Sequence, residues 1–342
     1  MSEKDEKDEK DEILTNKGLI LIGITSGAIL IVGLILLALG YNEAFYSSNS
    51  GVRAVFQLIT DTGDEMFYII VIAVFFIAYD KKFAKNLLFS LLVTTYINNF
   101  LKDVFQDPRP PSNLDPSSET GYIAEGYGFP SGHSQSAIAV YGYAAYHFRE
   151  KSKPLVIPII VSIYIFLIAL SRIILGVHDL QDIIGGLLFG ICVLIPFIYL
   201  EPIVSEKLET SSLQLKILLA IIVSVLLLVI GTVIFPMSGQ YPIKNPVPYA
   251  DAGGYALVSG VILGFSLGYL LENEYVNYLP SELSNKQKII NLIVGLILVF
   301  VIYFVLGLVI RGNIILRFIR YALLAFSISL VLPIVFNKIN RK

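Results

Sequence analysis

The feature that most constrains this chain is a series of apolar runs, each close to the roughly 20 residues that an α-helix needs to cross a bilayer. Ten can be read between charged or turn-rich punctuation. Six fall in the first 200 residues, at about 18–40, 64–79, 83–101, 132–148, 155–175 and 181–200. Four more follow, at about 213–235, 253–271, 289–310 and 316–336. The expected fold class is all-α, a polytopic transmembrane helical bundle. Composition agrees: 55% of the 342 residues are hydrophobic, 15% are charged and the mean hydropathy is +0.73, which excludes an ordinary water-soluble enzyme.

The rest of the composition narrows the function. A net charge of −2 provides no global basic field for nucleic acid, so no nucleic-acid partner is expected. One cysteine, Cys192, excludes an intrachain disulfide and zinc-finger spacing; within the run 191–195 it reads as a small buried thiol. Residues 1–12 repeat a Lys-Asp-Glu unit with no apolar residue after Met1, so 1–17 is expected to be a solvated, disordered tail. The first apolar run is too long for a signal-peptide core and reads as a retained anchor.

Ten spans place both termini on one side, and the 25 Lys and Arg residues then test the topology. Arg53, Lys102, Arg109, Arg172, Lys244, Arg311, Arg317 and Arg320 fall on one side and all the others on the side of the termini. Positive charge concentrates in the cytoplasm, so cytoplasmic termini are expected, with Lys102, Arg109 and Arg172 extracytoplasmic.

Three segments carry chemistry. After the third span comes a loop of Pro, Ser, Gly and acidic residues, entered by Lys102 and, seven positions on, by Arg109 between Pro108, Pro110 and Pro111. Two cations on a stiffened backbone make either an anion clamp or ordinary interfacial snorkelling. The fourth span opens Pro130-Ser131-Gly132-His133. Ser131 is a good N-cap, Gly132 allows close backbone approach, and the helix N-terminus suits an anion with His133 at its rim, although Ser-Gly-His is also a common cap. The fifth span ends Ser171-Arg172, and an Arg beside apolar sequence needs a partner or a task. His178 and Asp182 stand i and i+4, so the carboxylate can hold one ring nitrogen and leave the other as an outward lone pair, as a nucleophilic histidine requires. His147 has no acid at helical spacing and reads as structural.

Together these segments resemble the type 2 phosphatidic acid phosphatase superfamily, the lipid phosphate phosphatases related to vanadium haloperoxidases. The resemblance rests on Lys102, six residues, Arg109-Pro110; on Pro130-Ser131-Gly132-His133; and on Ser171-Arg172, five residues, His178, three residues, Asp182. It implies a six-helix phosphatase core over 18–200, and leaves 201–342 as a C-terminal transmembrane extension of four helices. It also implies that His178 is the nucleophile forming a phosphohistidine, that Asp182 orients it, and that His133 is the acid and then the base. Lys102, Arg109, Ser131, Gly132 and Arg172 would hold the phosphoryl oxygens. No metal and no cofactor is needed in that scheme.

A site at the outer interface suits a lipid phosphate or an isoprenoid (di)phosphate, with membrane lipids around it. A lipid phosphotransferase using the same phosphohistidine and a transporter built on a vestigial phosphatase core are the alternatives. Tyr122, Tyr127 and Phe129 serve either as a lid or, as is commoner, as interfacial anchors. Gly260, Gly264 and Gly268 form a small-residue stripe for packing within the chain, the preferred reading, or for a homodimer. Asp251, Glu272 and Glu274 show no readable pairing.

Overall fold

The computed structural model describes residues 24, 27–28, 31–42, 46–110, 126–148, 156–234 and 254–340. The tail 1–17, residues 18–23, 25–26 and 29–30 of the first apolar run, Tyr122 and Asp251 lie outside the described residues. Every regular element among the described residues is helical. After a helical stretch at 31–38 come α1 (Ser50–Asp61), α2 (Glu65–Ala78) and α3 (Lys81–Phe105). Next, α4 (Gly132–Ala137) runs through a π-helical turn, Ile138–Gly142, into α5 (Tyr143–Phe148). Then follow α6 (Val156–Ile174), α7 (Leu180–Glu209), α8 (Leu213–Ile234), α9 (Gly254–Tyr275), α10 (Asn285–Val309) and α11 (Ile314–Phe326), which continues through Ser327–Val331 into α12 (Leu332–Asn340).

Local chemistry sets the ends. Asp80 caps α3 by accepting from Phe83 N at 3.0 Å, and the helix stops at Gln106, whose φ of 47° is left-handed. A reciprocal capping box of Asp179 and Asp182 starts α7, and one of Ser284 and Gln287 starts α10.

Among the described residues six helices are long and apolar enough to cross a membrane: Val156–Ile174, Leu180–Glu209, Leu213–Val233, Gly254–Tyr275, Asn285–Val309 and Ile314–Asn340. The protein is thus an integral, multi-pass, all-α membrane bundle with about six candidate spans, fewer than the ten apolar runs. The run 64–79 becomes α2, with only 14 residues. The run at 83–101 lies in a 25-residue helix that buries Asn86, Asn98, Asn99, Lys102 and Asp103. The run at 132–148 is two six-residue helices joined by a π-turn. These segments trade lipid-facing apolarity for polar contacts inside the bundle: Asn86 donates to Tyr143 Oη at 2.9 Å, and Ser90 to Ala139 O at 3.1 Å.

Two sequence expectations about packing meet different outcomes. Cys192 is exposed on α7, because an apolar helix in lipid turns one apolar face outward, and an apolar neighbourhood in sequence does not mean the interior. Gly260, Gly264 and Gly268 are buried against the chain's own α11 and its π-turn: a Cβ at Gly260 would stand 2.5 Å from Phe318 O, and one at Gly268 would meet Ser329. That stripe packs within the chain, the preferred of the two readings.

The C-terminal helices are tied to the core by polar bonds as well as apolar contact. Glu272 on α9 pairs with Lys81 at 2.5 Å, with both side chains buried, although nothing local in the sequence pairs them. Tyr278 donates to Ile77 O at 2.5 Å, Tyr96 to Leu227 O at 2.8 Å, and Tyr255 to Asp103 Oδ2 at 3.0 Å. His147 stacks on Phe83 with ring centroids 4.2 Å apart, as expected of a structural histidine.

Candidate active site

The ends of α3 and α6, the starts of α4 and α7 and the turn between α1 and α2 meet at one end of the bundle, bringing together every residue of the three motifs. His178 lies just before α7, not within it. Its Nδ1 nevertheless stands 2.8 Å from Asp182 Oδ2, because Asp179 caps the helix and folds the preceding residue back over the first turn. The pair is buried, at 2% and 0% exposure. Asp182 also accepts on the same oxygen from Asp179 N at 3.3 Å, while its Oδ1 is buried without a partner among the described residues. A carboxylate on Nδ1 keeps the proton there, so Nε2 presents its lone pair.

Arg109 is aimed at that lone pair. Its Nη1 donates to His178 Nε2 at 3.0 Å and to Val177 O at 2.9 Å, and its Nε donates to Gly126 O at 3.0 Å. Lys102, 2% exposed, donates to the carbonyls of Tyr127 and, at 3.0 Å, Gly128. Arg172, buried, donates from Nη1 to Thr60 Oγ1 at 2.8 Å. Burial, then the charges of Arg109, Lys102 and Arg172, hold His178 well below the ordinary histidine value of 6.5, so the ring is neutral near pH 7. Burial likewise raises the carboxyls of Asp107 and Asp179.

The α4 start is clamped to α7. Ser131 N donates to Asp182 O at 2.9 Å, and the Ser131 hydroxyl caps α4 and accepts from Ser134 Oγ at 3.1 Å. Asn98 donates to Pro130 O at 3.1 Å and to Gln135 Oε1 at 2.8 Å. This approach depends on Gly186, where a Cβ would fall 2.6 Å from Ser131 O. His133 follows Gly132, and its Nε2 lies 2.8 Å from Asp64 Oδ1. Tyr127 is buried and Phe129 packs where a Cβ on Gly185 would fall, so both belong to the interior and not to an interfacial belt.

The sequence reading missed Thr60, Asp64, Asn98 and Gly186. The first two lie some forty residues before Lys102 and in no motif; the only signal was an acid opening the second apolar run. The arrangement can bind an anion among three cations against a neutral, oriented imidazole, with a second imidazole nearby.

Comparison with known proteins gives this geometry a context. Residues 83–205 match the PAP2 superfamily, and residues 255–342 match the PAP2 superfamily phosphatase, transmembrane extension. Sphingosine-1-phosphate phosphatase 1 of Mus musculus is 24% identical over 330 residues, covering 86% of this chain and 74% of its own. Phosphatidylglycerophosphatase B of Bacillus subtilis is 39% identical over 71 residues, 19% of this chain and 34% of its own. The crystal structure of a PAP2 type phosphatidylglycerolphosphate phosphatase from Bacillus subtilis is similar at a TM-score of 0.38 and 23% identity, covering 53% of this chain and 87% of that one.

Proposed function

This chain belongs to the PAP2 superfamily of membrane lipid phosphate phosphatases, with its transmembrane extension, and from that premise we propose that it hydrolyses a lipid phosphate monoester through a phosphohistidine on His178. The observation that carries the reading is the state of His178: Nδ1 on the Asp182 carboxylate and Nε2 as an acceptor facing Arg109. A phosphoryl group entering the site replaces the imidazole as partner of the Arg109 guanidinium, which suits bidentate contact with two phosphoryl oxygens. Lys102, Arg172, the Ser131 hydroxyl and the Gly132 N–H complete the cradle in which charge redistributes during transfer.

The steps balance on this chain's own groups. Nε2 of His178 attacks phosphorus, the bond to the leaving oxygen breaks, and His133 donates its proton to that oxygen. Asp182 offsets the charge of the phosphorylated ring. Water then attacks phosphorus, the P–N bond breaks, and His133 takes the proton from the water.

The named activities of the relatives, on sphingosine-1-phosphate and phosphatidylglycerophosphate, support a phosphomonoester on a lipid; an isoprenoid diphosphate is the second substrate class to test. We assign 18–200 to the phosphatase core and 201–342, which begins within the last turns of α7, to a membrane extension of four further helices. The Lys and Arg distribution supports cytoplasmic termini and an extracytoplasmic site. The test is phosphate release by detergent-purified protein with EDTA present, from sphingosine-1-phosphate, phosphatidate, phosphatidylglycerol phosphate, polyprenyl diphosphate and glucose 6-phosphate. Release from a lipid monoester, abolished in a folded His178→Ala variant, is expected. Release that survives the substitution overturns the phosphohistidine, and release from glucose 6-phosphate alone overturns the lipid.

A further inference from the structure

We infer that Asp64, in the turn before α2, is the positioning residue for His133, so that a fourth segment, 60–64, completes the site from outside the three motifs. The inference rests on the phosphohistidine reading above. Asp64 occupies the N-cap position of α2 with extended backbone, φ −79° and ψ 150°, where an aspartate ordinarily caps its own helix. Its side chain makes no capping bond. It crosses instead to a histidine 69 positions away, at 2.8 Å, leaving the helix start without its usual acceptor. Forgoing a local cap for a long-range imidazole contact is hard to account for by the stability of α2 alone.

The turn is built to hold that contact. Gly63 N donates to Thr60 O at 2.7 Å, and Thr62 Oγ1 donates to Ile59 O at 2.6 Å. Two tyrosines pin it from different helical segments: Tyr141 donates to Thr62 O at 2.7 Å and Tyr164 to Thr62 Oγ1 at 2.6 Å. Thr60 accepts from Arg172, so one short segment touches both a phosphate-binding candidate and the second imidazole. At Gly63 a Cβ would stand 3.0 Å from His133 Cδ2 and 3.0 Å from Ile168 Cγ2. The Cδ2–Nε2 edge of the ring therefore lies flat on the turn, and any other residue at 63 would lift it off.

The chemistry follows from that edge. Nε2–H donates to the Asp64 carboxylate, so the exchangeable proton is the one on Nδ1, the nitrogen on the opposite edge. The charged groups acting on the ring are Asp64 from the turn, Arg172 from α6 and Arg109 from the loop after α3. Burial first, then Arg172 and Arg109, lower the pKa of the ring, and Asp64 is the anion that opposes them. Its contact at 2.8 Å keeps the protonated ring closer in reach, so that His133 can pass a proton to the leaving oxygen and later receive one from water.

The test is Asp64→Ser, which removes the carboxylate while supplying a good helix cap, with Asp64→Asn beside it. Alkyl phosphate turnover should fall about a hundredfold while KM changes little. The pre-steady-state burst of nitrophenol from p-nitrophenyl phosphate should survive, because that leaving group needs no proton; turnover after the burst should be slow, because His133 also activates water. Asp64→Glu should recover part of the loss. Equal loss of burst and alkyl turnover, or wild-type alkyl turnover in either variant, overturns the role of Asp64. A wild type that releases phosphate from no substrate overturns the reading beneath it instead.

Discussion

Helix α3 buries a lysine at each end, and the two could hardly be used more differently. Lys81, at the end away from the site, donates to the Glu272 carboxylate at 2.5 Å and to Asn273 Oδ1 at 3.2 Å. Lys102, at the site end, donates to two neutral backbone carbonyls, those of Tyr127 and Gly128. A cation matched by a carboxylate on a neighbouring helix is internally neutralised and joins two parts of the bundle. A cation held by carbonyl dipoles is oriented but keeps its charge available to an incoming anion. The partner, and not burial, separates the lysine that is neutralised within the bundle from the one proposed to bind substrate.

The contrast breaks most sharply by substitution at the two ends. Lys102→Met should lower phosphate release roughly a thousandfold with the melting temperature of the detergent-solubilised protein nearly unchanged. Lys81→Met should do the reverse, destabilising by roughly 3–5 kcal/mol because Glu272 is left buried and unpaired, while activity per folded molecule stays close to wild type. Adding Glu272→Gln to Lys81→Met should recover much of that stability, read by the same melting curves. A Lys81 variant that is stable but inactive would erase the distinction.

Close-packed glycines extend the comparison at lower amplitude. Gly186→Ala pushes a methyl against Ser131 O, moving the start of α4, so release should fall about ten- to a hundredfold. Gly295→Ala, whose Cβ would meet Ile77 Cδ1 at 2.7 Å and Phe336 Cζ at 2.8 Å, should cost about 1–3 kcal/mol of stability and leave kcat alone. The smallest effect is on pH. His178, the proposed nucleophile, must be neutral to attack and its pKa is lowered, so activity should persist as pH falls through 6.5 and fail only well below it. Arg109→Gln removes a charge that lowers that pKa, so the acid limb of the residual activity should move up toward 6.5; Lys81→Met should not move it.

How much of this was legible depended on the range of the interaction. The His178–Asp182 pair could be read because four positions in sequence restrict the distance, even though the histidine sits ahead of the helix and the capping box closes the gap. The three motifs could be read because proline, glycine and serine mark the turns that carry them. Asp64 and Thr60 could not, since nothing at 60–64 indicates that α2 will bring the turn under a histidine 69 residues later. Glu272 was likewise silent, being 191 positions from Lys81. Ten apolar runs stand in the sequence where the described residues hold six helices long and apolar enough to cross a membrane, because hydropathy measures what a segment is made of, whereas α2, α3 and α4 are set by their length and by the polar groups they bury. Cys192 erred in the other direction, an apolar run in lipid being as ready to face outward as inward.

By itself, then, the sequence determined an all-α membrane protein, the three motifs and the nearness of His178 to Asp182, because each follows from composition or from residues a few positions apart. Only the tertiary structure decided which nitrogen of His178 faces Arg109, which acid meets His133, which lysine keeps its charge available and which glycines hold helices together. Those outcomes depend on side chains from distant segments meeting in a low-dielectric interior, where the identity of the nearest partner outweighs the residue's own type.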